Sequence, residues 1–425
     1  MAPRAPSNVL LIVIDSLRKD RMSAYGYERN TTPRIAELAS DGVLYTGAVS
    51  QAPWTTPSIG SLMTSRYPSS LGIETERSVI PESLDMLAER LQDAGFATGG
   101  VVSHTFCSTD WGFAQGFDSF DESNILGHDA VTSAGVSDRG IEFLEANAEA
   151  ERGDRPWLLF LHYFDPHFAY NAHDAFPFGG PHPDYAGRLH SGMLFKELNA
   201  QRDELSPDDM TELARYYDSE LAHTDAEIGR VLDHLRATGE YASTLVVVAA
   251  DHGEEFLDHG RLGHAKTLYD ELVNVPLIVR YPGGAPAVID DPVGLIDVYP
   301  TITEFVGTAA PDRARGTSLY DAARGRHRTP ADVFTETSRY ANLRALIEGD
   351  HKLVLDVSTG GVVLFDRRTD PHERIDIARR EPQRAKRLAK RVRALMEMAL
   401  EDVVQTTDRT LSPEEEERLR QLGYL

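Results

Sequence analysis

An α/β sandwich around a mostly parallel sheet is the fold this sequence predicts, and three observations predict it. The first is a set of three nearly continuous apolar runs, "NVLLIVID", "WLLFLHYFD" and "STLVVVAADHG". Strands covered on both faces need such runs, because neither side meets water. The second is the alternation of these runs with helical patterns: "TPRIAELASDG", "ESLDMLAERLQDAG", "DRGIEFLEANAEA" and "SELAHTDAEIGRVLDHLRATG". Several of these end in Gly- or Asn-containing turns, as helix stops do, and strand–helix alternation is the pattern of a parallel sheet with helices packed on it. The third is a change of texture after about residue 325. "DVFTET", "LRALIEGD", "HKLVLDV" and "VVLFDRR" are short strands with polar or Gly-rich turns, followed by a long helix over 381–404. The expected organisation is therefore an α/β unit over 1–325 and a small antiparallel sheet with terminal helices over 326–425.

Composition narrows the function. At 425 residues, with 41% hydrophobic and 26% charged residues, the chain can bury a large core and is not of disordered type. A formal charge of -24 argues against nucleic acid as a partner, since phosphate backbones need a basic face. The basic run over 379–393 has the spacing of a solvated helix face instead. Lysine occurs only at 19, 196, 266, 352, 386 and 390; an acidic, lysine-poor surface suits either a high-salt cytoplasm or an ordinary acidic enzyme. Cys107 is the single cysteine, so no internal disulfide and no thiolate cluster can form. The amino-terminal apolar run over 9–14 is too short to span a membrane and leads into a charged segment rather than a cleavage site. It reads as the first core strand, and the protein is expected to be cytoplasmic and without a membrane span.

All three apolar runs end in acid or imidazole: Asp15, then Asp165 with His167 just beyond, then Asp251-His252-Gly253. Carboxylates at strand ends are common helix caps, but three at one sheet edge can converge on a cation. Gly253 would ease the bend that lets Asp251 and His252 offer one oxygen and one nitrogen. The stretch "APWTTPSIGSLMTSRYP" over 52–68 has Pro57 placed as a first helical residue and Thr56 as the N-cap. Thr55 would sit before a helix amino end, where anions are attracted. Its hydroxyl could attack phosphorus or sulfur if a metal lowered its pKa. Alone, Thr-Thr-Pro reads more readily as a helix start than as a catalyst.

The blocks "NVLLIVIDSLRKDRMSAYGY", "TTPSIGSLMTSRYP", "GFATGGVVSHTFCSTDWGFAQGFDSFDE", "FLHYFDPHFAY" and "VVVAADHGEEFLDHGRLGHAKTLYDELVNVPLIV" follow one another in the order found in sulfatases. "GLIDVYPTI", "DHKLVLD…LFDRRTDPHE" and the tail "LSPEEEERLRQLGYL" resemble later blocks of that family. By this resemblance, which covers nearly the whole chain, it is identified as a member of the sulfatase branch of the alkaline phosphatase superfamily. The resemblance implies that Asp15, Asp251 and His252 hold a divalent metal and that Thr55 stands at the nucleophile position of the C-x-P-S-R signature. It implies that His167 contacts the leaving group and that Lys266 holds the non-bridging oxygens. His264 lines the same site.

The departures from the family pattern carry information. Sulfatases oxidise the signature cysteine or serine to formylglycine; threonine would yield a ketone, so no formylglycine is expected here. The arginine that closes the signature is Ile59, and the second Asp of the usual metal pair is Ser16. His252 stands where the family carries Asn or His. A threonine nucleophile is the device of phosphodiesterases in the same superfamily. The resemblance with its departures therefore implies hydrolysis of a phosphate or phosphonate ester in preference to a sulfate ester. The expected cofactor is one divalent metal, Mn²⁺ or Zn²⁺ rather than Ca²⁺. The expected substrate is an anionic ester of a small molecule or of a glycan- or lipid-derived alcohol, contacted by the His- and aromatic-rich loop over 167–192. Sulfate-ester hydrolysis through Thr55, phospho-group transfer and an inactive binding scaffold are the alternatives.

Overall fold

The computed structural model describes residues 7–126, 130–149, 155–176, 178, 182–326, 331–413, 416 and 419. Its main sheet has eight strands, in the spatial order Ala287–Ile289, Val43–Tyr45, Leu277–Arg280, Thr244–Ala250, Asn8–Ile14, Trp157–Tyr163, Ala97–Val102 and Ser119–Asp121. The three apolar runs are the three central strands, parallel and in register, with Ile14 opposite both Tyr163 and Ala250. Their carboxyl ends therefore emerge side by side at one edge. Leu277–Arg280 is antiparallel to both its neighbours, so the sheet is mostly rather than wholly parallel.

Helices Ser133–Glu149 and Pro33–Ser40 each pack on Pro207–Thr238, and Leu87–Asp93 and Val298–Val306 each pack on Thr55–Thr64. Pro207–Thr238 starts well before the segment the sequence pattern marked. The turns before that segment bury Asp209, Glu212 and Asp218, which breaks the apolar stripe. The capping box of Ser206 and Asp209, with Pro207 at the first position, sets that start. In the other direction, the predicted "ESLDMLAERLQDAG" helix shortens to Leu87–Asp93, begun by Glu89 accepting from the Met86 N–H.

The four carboxy-terminal strands, Val333–Thr337, Leu343–Glu348, His351–Asp356 and Val362–Asp366, form an antiparallel meander as the sequence predicts. Helix Pro382–Glu401 covers it, burying Leu388, Ala389 and Val392 with Leu346, Leu353 and Leu364. Its basic residues face outward in part and pair with acids, Arg387 with Glu348 and Arg391 with Asp332. This sheet braces the segment around Thr55. The Glu336 N–H donates to the Gln51 carbonyl, Glu336 accepts from the Ser69 N–H, and Tyr67 packs edge-on against Phe334. The predicted terminal helix falls mostly outside the described residues. Among the described residues no helix is long and apolar enough to cross a membrane.

Candidate active site

Asp15 leaves its strand still in register, its N–H donating to the Tyr163 carbonyl (2.9 Å). Ser16 then takes a left-handed conformation (φ 53°), uncommon for a residue with a side chain. This turn lets the Ser16 N–H donate to Asp251 Oδ1 (3.2 Å) while its hydroxyl donates to Asp15 Oδ1 (3.0 Å). The His252 N–H donates to the same Asp251 oxygen (2.7 Å). Gly253 is needed for a different reason than the bend. A Cβ there would lie 1.9 Å from the Glu271 carbonyl oxygen, so only glycine lets the two chains meet.

The side chains so placed form an incomplete polar cage. His252 Nδ1 faces the Gly253 carbonyl at 2.9 Å, which only an N–H satisfies, so Nε2 carries the lone pair. That nitrogen is 3.6 Å from Asp15 Oδ1, 3.5 Å from Asp251 Oδ2 and 3.4 Å from Thr55 Oγ1. Asp15 Oδ2 and Asp251 Oδ2 are buried without a hydrogen-bond partner. Burial raises both carboxyls, Asp15 well above its ordinary range with Asp251's charge adding to it, and the Thr55 hydroxyl offsets part of each rise. Unpaired buried carboxylates are costly. Two of them, one imidazole lone pair and one hydroxyl are a donor set that fits a divalent cation.

Thr55 is the first residue of helix Thr55–Thr64, with Trp54 as its cap. The helix thus starts earlier than the sequence pattern suggested, and Thr56 is not the cap: its hydroxyl donates to the Phe106 carbonyl (3.2 Å). Ser58 fastens the helix start to the sheet edge, donating to the Asp251 carbonyl (2.6 Å). Asp165, expected with the cation-facing acids, is turned away. Its carboxylate accepts from the N–H groups of Thr132 (2.9 Å) and Ser133 (2.8 Å) and from the Ser133 hydroxyl (2.6 Å), capping helix Ser133–Glu149.

On the open side, His167 points Nδ1 at the Phe168 carbonyl (3.1 Å), and burial pushes the ring down to about 3, so it is neutral. The His264 ring lies 5.1 Å from that of His167 and 4.4 Å from that of His252. Its Nδ1 donates to Glu254 Oε1 (3.2 Å), and Glu254 Oε2 accepts from the Tyr170 hydroxyl (3.1 Å). Lys266 takes another course. Ala265, at φ 74°, is held by its N–H on the Pro53 carbonyl and its own carbonyl under the Thr337 hydroxyl. Past this turn Lys266 is half-buried, its Nζ 5.7 Å above the Tyr340 ring.

Four residues escaped the sequence reading. His104 Nδ1 and His162 Nε2 lie 3.5 and 3.7 Å from Asp15 Oδ2. His162 was visible inside "WLLFLHYFD", where a histidine in a buried strand is itself a signal. His104 follows the Gly-rich strand Ala97–Val102, which apolar runs do not mark. Glu254 adjoined the Asp-His pair. Arg339 left no signal: it comes from a turn of the small sheet to lie over Trp54 (4.8 Å) and Tyr340 (4.6 Å), and its charge adds to burial and the neighbouring His252 and His167 in holding His264 well down. Cys107 is fully buried behind the site, its thiol donating to the His104 carbonyl (3.2 Å), and burial with the charges of Asp15 and Asp251 pushes it well up.

Comparison with known proteins matches this arrangement to a family. The sulfatase family model matches residues 7–308. The uncharacterized sulfatase YidJ of Escherichia coli is 23% identical, over 86% of this chain and 82% of its own. The Delta 4,5-hexuronate-2-O-sulfatase of Bacteroides thetaiotaomicron is 23% identical over 92% of this chain and 88% of its own. Among solved structures, the phosphonate monoester hydrolase SpPMH from Silicibacter pomeroyi superposes with a TM-score of 0.76 at 22% identity, covering 96% of this chain and 97% of that one.

Proposed function

The chain belongs to the sulfatase family, and from that premise we propose that it is a metal-dependent hydrolase of phosphate or phosphonate esters with Thr55 as nucleophile. The observation that carries the reading is the Thr55 hydroxyl at 3.4 Å from His252 Nε2, beside two buried carboxylates that each leave an oxygen unpaired. Asp15, Asp251 and His252 would hold the cation, with Mn²⁺ or Zn²⁺ favoured over Ca²⁺ by the imidazole nitrogen and the small oxygen count. A bound dication supplies positive charge that lowers the pKa of a nearby hydroxyl and offsets charge on ester oxygens.

The remaining roles follow from the protein's own groups. The amino end of Thr55–Thr64 turns backbone N–H groups toward an anionic ester. The Thr55 proton passes to the imidazole side, where His167 and His264 stand together with Nδ1 of each ring already donating elsewhere, and from there to the ester oxygen as Thr55 Oγ bonds to phosphorus and the bond from phosphorus to that oxygen breaks. His264, held at Nδ1 by Glu254, presents Nε2 to that space. Water then attacks phosphorus, breaks its bond to Thr55 Oγ and restores the hydroxyl. This second step is why threonine suffices: phosphorus is released by water attack, and no aldehyde is required. The alcohol is expected to come from a small molecule, a glycan or a lipid, and the stacked Phe168 and Phe195 rings beside His264 offer it an apolar wall.

The names of the matched proteins favour both ester classes, a sulfatase among the relatives and a phosphonate monoester hydrolase among the structures. Purified protein supplied with Mn²⁺, Zn²⁺ or Ca²⁺ and assayed on aryl phosphonate, aryl phosphate diester and aryl sulfate separates them. The proposal expects phosphonate or diester turnover to lead. Faster aryl sulfate turnover would reverse the substrate order, and no turnover of any ester with any metal would favour a binding scaffold.

A further inference from the structure

A second group of metal-ligating side chains lies across the backbone from the site. Glu255, His259 and Glu271 each bring one ligand atom within 4.8 Å of the others. We propose that these three residues form a second divalent-metal site, one that takes a transition-metal dication such as Zn²⁺ or Mn²⁺ and fastens the hairpin carrying His264.

Glu255 is the first reason. It is 0% exposed, and neither carboxylate oxygen has a partner at hydrogen-bond geometry; the Thr267 hydroxyl and the charges of Arg261 and His259 offset only part of its burial. A carboxylate withdrawn from water and left unpaired needs a counter-charge or a proton. Burial, with Glu271's charge adding to it, pushes this carboxyl up to about 7.

The tautomer of His259 is the second. Its Nε2 lies 3.0 Å from the His372 carbonyl oxygen, so that nitrogen carries the hydrogen. The other nitrogen, Nδ1, is 2.6 Å from Glu271 Oε1, and in a neutral ring this sets a lone pair against a carboxylate. A proton on Nδ1 would reconcile that pair but would give Glu255 only a through-space charge, shared with Glu271, and no bond to its oxygens. A dication among the three satisfies all of them at once. A metal-bound imidazole commonly donates its other N–H to a backbone carbonyl, and the ring is further fixed by stacking on Tyr269 at 3.5 Å. Two carboxylate oxygens and one imidazole nitrogen suit Zn²⁺ or Mn²⁺ better than an all-oxygen ion such as Ca²⁺. His259 and Glu271 also line a cavity of about 320 Å³, which gives an ion a way in.

The position explains what such an ion would do. Glu254 and Glu255 are consecutive; Glu254 accepts from His264, while Glu255 opens the strand Glu255–Phe256 on the His259 side. That strand pairs with Leu262–Gly263, whose next residue is His264. Glu271 sits on the separate turn Asp270–Val273. An ion shared by all three ties the hairpin to that turn and so steadies the ring next to the ester.

The test is metal content. Chelated wild-type protein is reloaded with Zn²⁺ or Mn²⁺, desalted and analysed by plasma mass spectrometry, beside Glu255→Gln, Glu271→Gln and Asp251→Asn. The expectation is two ions per chain in the wild type and one in each variant, with Asp251→Asn emptying the Asp15 site alone. One ion in the wild type that survives in both glutamine variants and vanishes in Asp251→Asn would overturn this proposal and leave the first site standing. One ion that survives in Asp251→Asn but vanishes in the glutamine variants would do the reverse. Should Glu255→Gln fail to fold, Glu271→Gln decides, because that side chain is 9% exposed and only borders the core.

Discussion

The Thr55 hydroxyl oxygen and His252 Nε2 stand 3.4 Å apart with both side chains buried. That spacing suits two ligands of one ion, and it places the only hydroxyl on the first turn that faces both Asp15 and Asp251 within reach of activation. Thr55→Ala is expected to lower kcat for an aryl phosphonate by at least on the order of 10⁴-fold, as loss of a nucleophile does. Thr55→Ser keeps a hydroxyl in the same place and should stay within about tenfold of wild type. Neither change should cost more than about 1–2 kcal/mol of stability. Steady-state kinetics with circular dichroism melts check all three; an active Thr55→Ala protein would remove Thr55 from the mechanism.

Metal removal should act through the acids. Without a cation, Asp15 and Asp251 have folded-state pKa values raised by burial. A raised carboxyl contributes stability that is fully present below its unfolded value, about 3.9, and is lost as pH rises through the folded value. These two carboxyls should therefore draw the chelated protein's stability down as pH rises above the unfolded carboxylate value, against the opposite trend of the buried neutral His162 and His167, both pushed down to about 3. Cation binding requires the ionised carboxylates and strengthens over the same range, adding about 2.7 kcal/mol when free metal is a hundredfold above its Kd. The gap in Tm between reloaded and chelated protein should widen with pH. A gap that narrows would mean that these carboxylates do not bind the ion.

Glu254 is a positioning residue for His264. Its carboxylate accepts from the ring on one oxygen and from Tyr170 on the other, which fixes Nδ1 of His264 as the nitrogen that carries the hydrogen. Glu254→Ala should cost on the order of 10–100-fold in kcat, the usual effect of removing a group that orients a functional histidine. The Asp15 site should still load its metal, and Glu254→Gln, which keeps one acceptor oxygen, should recover part of the loss. A kcat unchanged in Glu254→Ala would make the hydrogen bond incidental.

The sheet was legible because three strands bury both faces and so announce themselves as unbroken apolar runs. Strands such as Val43–Tyr45 and Ser119–Asp121, three residues each, give no periodicity to read. The site was legible where groups able to hold a cation end those runs, at Asp15, Asp251 and His252. It was misleading at Asp165, because a carboxylate at a strand end serves a cation or a helix start equally well until the turn after it is known. Arg339 was out of reach, since its place over Trp54 depends on how a distant sheet docks. The same limit applies to the order of His264 and Lys266. Sequence neighbours two apart face the same way in a strand, but the left-handed Ala265 between them sends them apart.

That divergence separates two residues that the motif alone would rank the other way. His264 lies in the buried cluster, its ring 4.4 Å from His252 and 5.1 Å from His167. Lys266 is half-buried against Tyr340 and shares its surroundings with Arg261, Arg202 and Arg339, whose charges lower its pKa together with burial. A cation among other cations near solvent is partly screened and partly redundant. A buried imidazole near the reacting ester is neither. His264→Ala is therefore expected to reduce kcat/KM for an aryl phosphonate by on the order of 10²-fold, the scale of losing one positioned proton-transfer group. Lys266→Ala should cost less than about tenfold, and its effect should shrink further as KCl is raised, because a half-exposed charge acts partly through solvent. Parallel kinetics of the two variants at low and high salt decide the order. A larger, salt-independent loss in Lys266→Ala would return the oxygen-holding role to the lysine and make His264 a wall of the pocket.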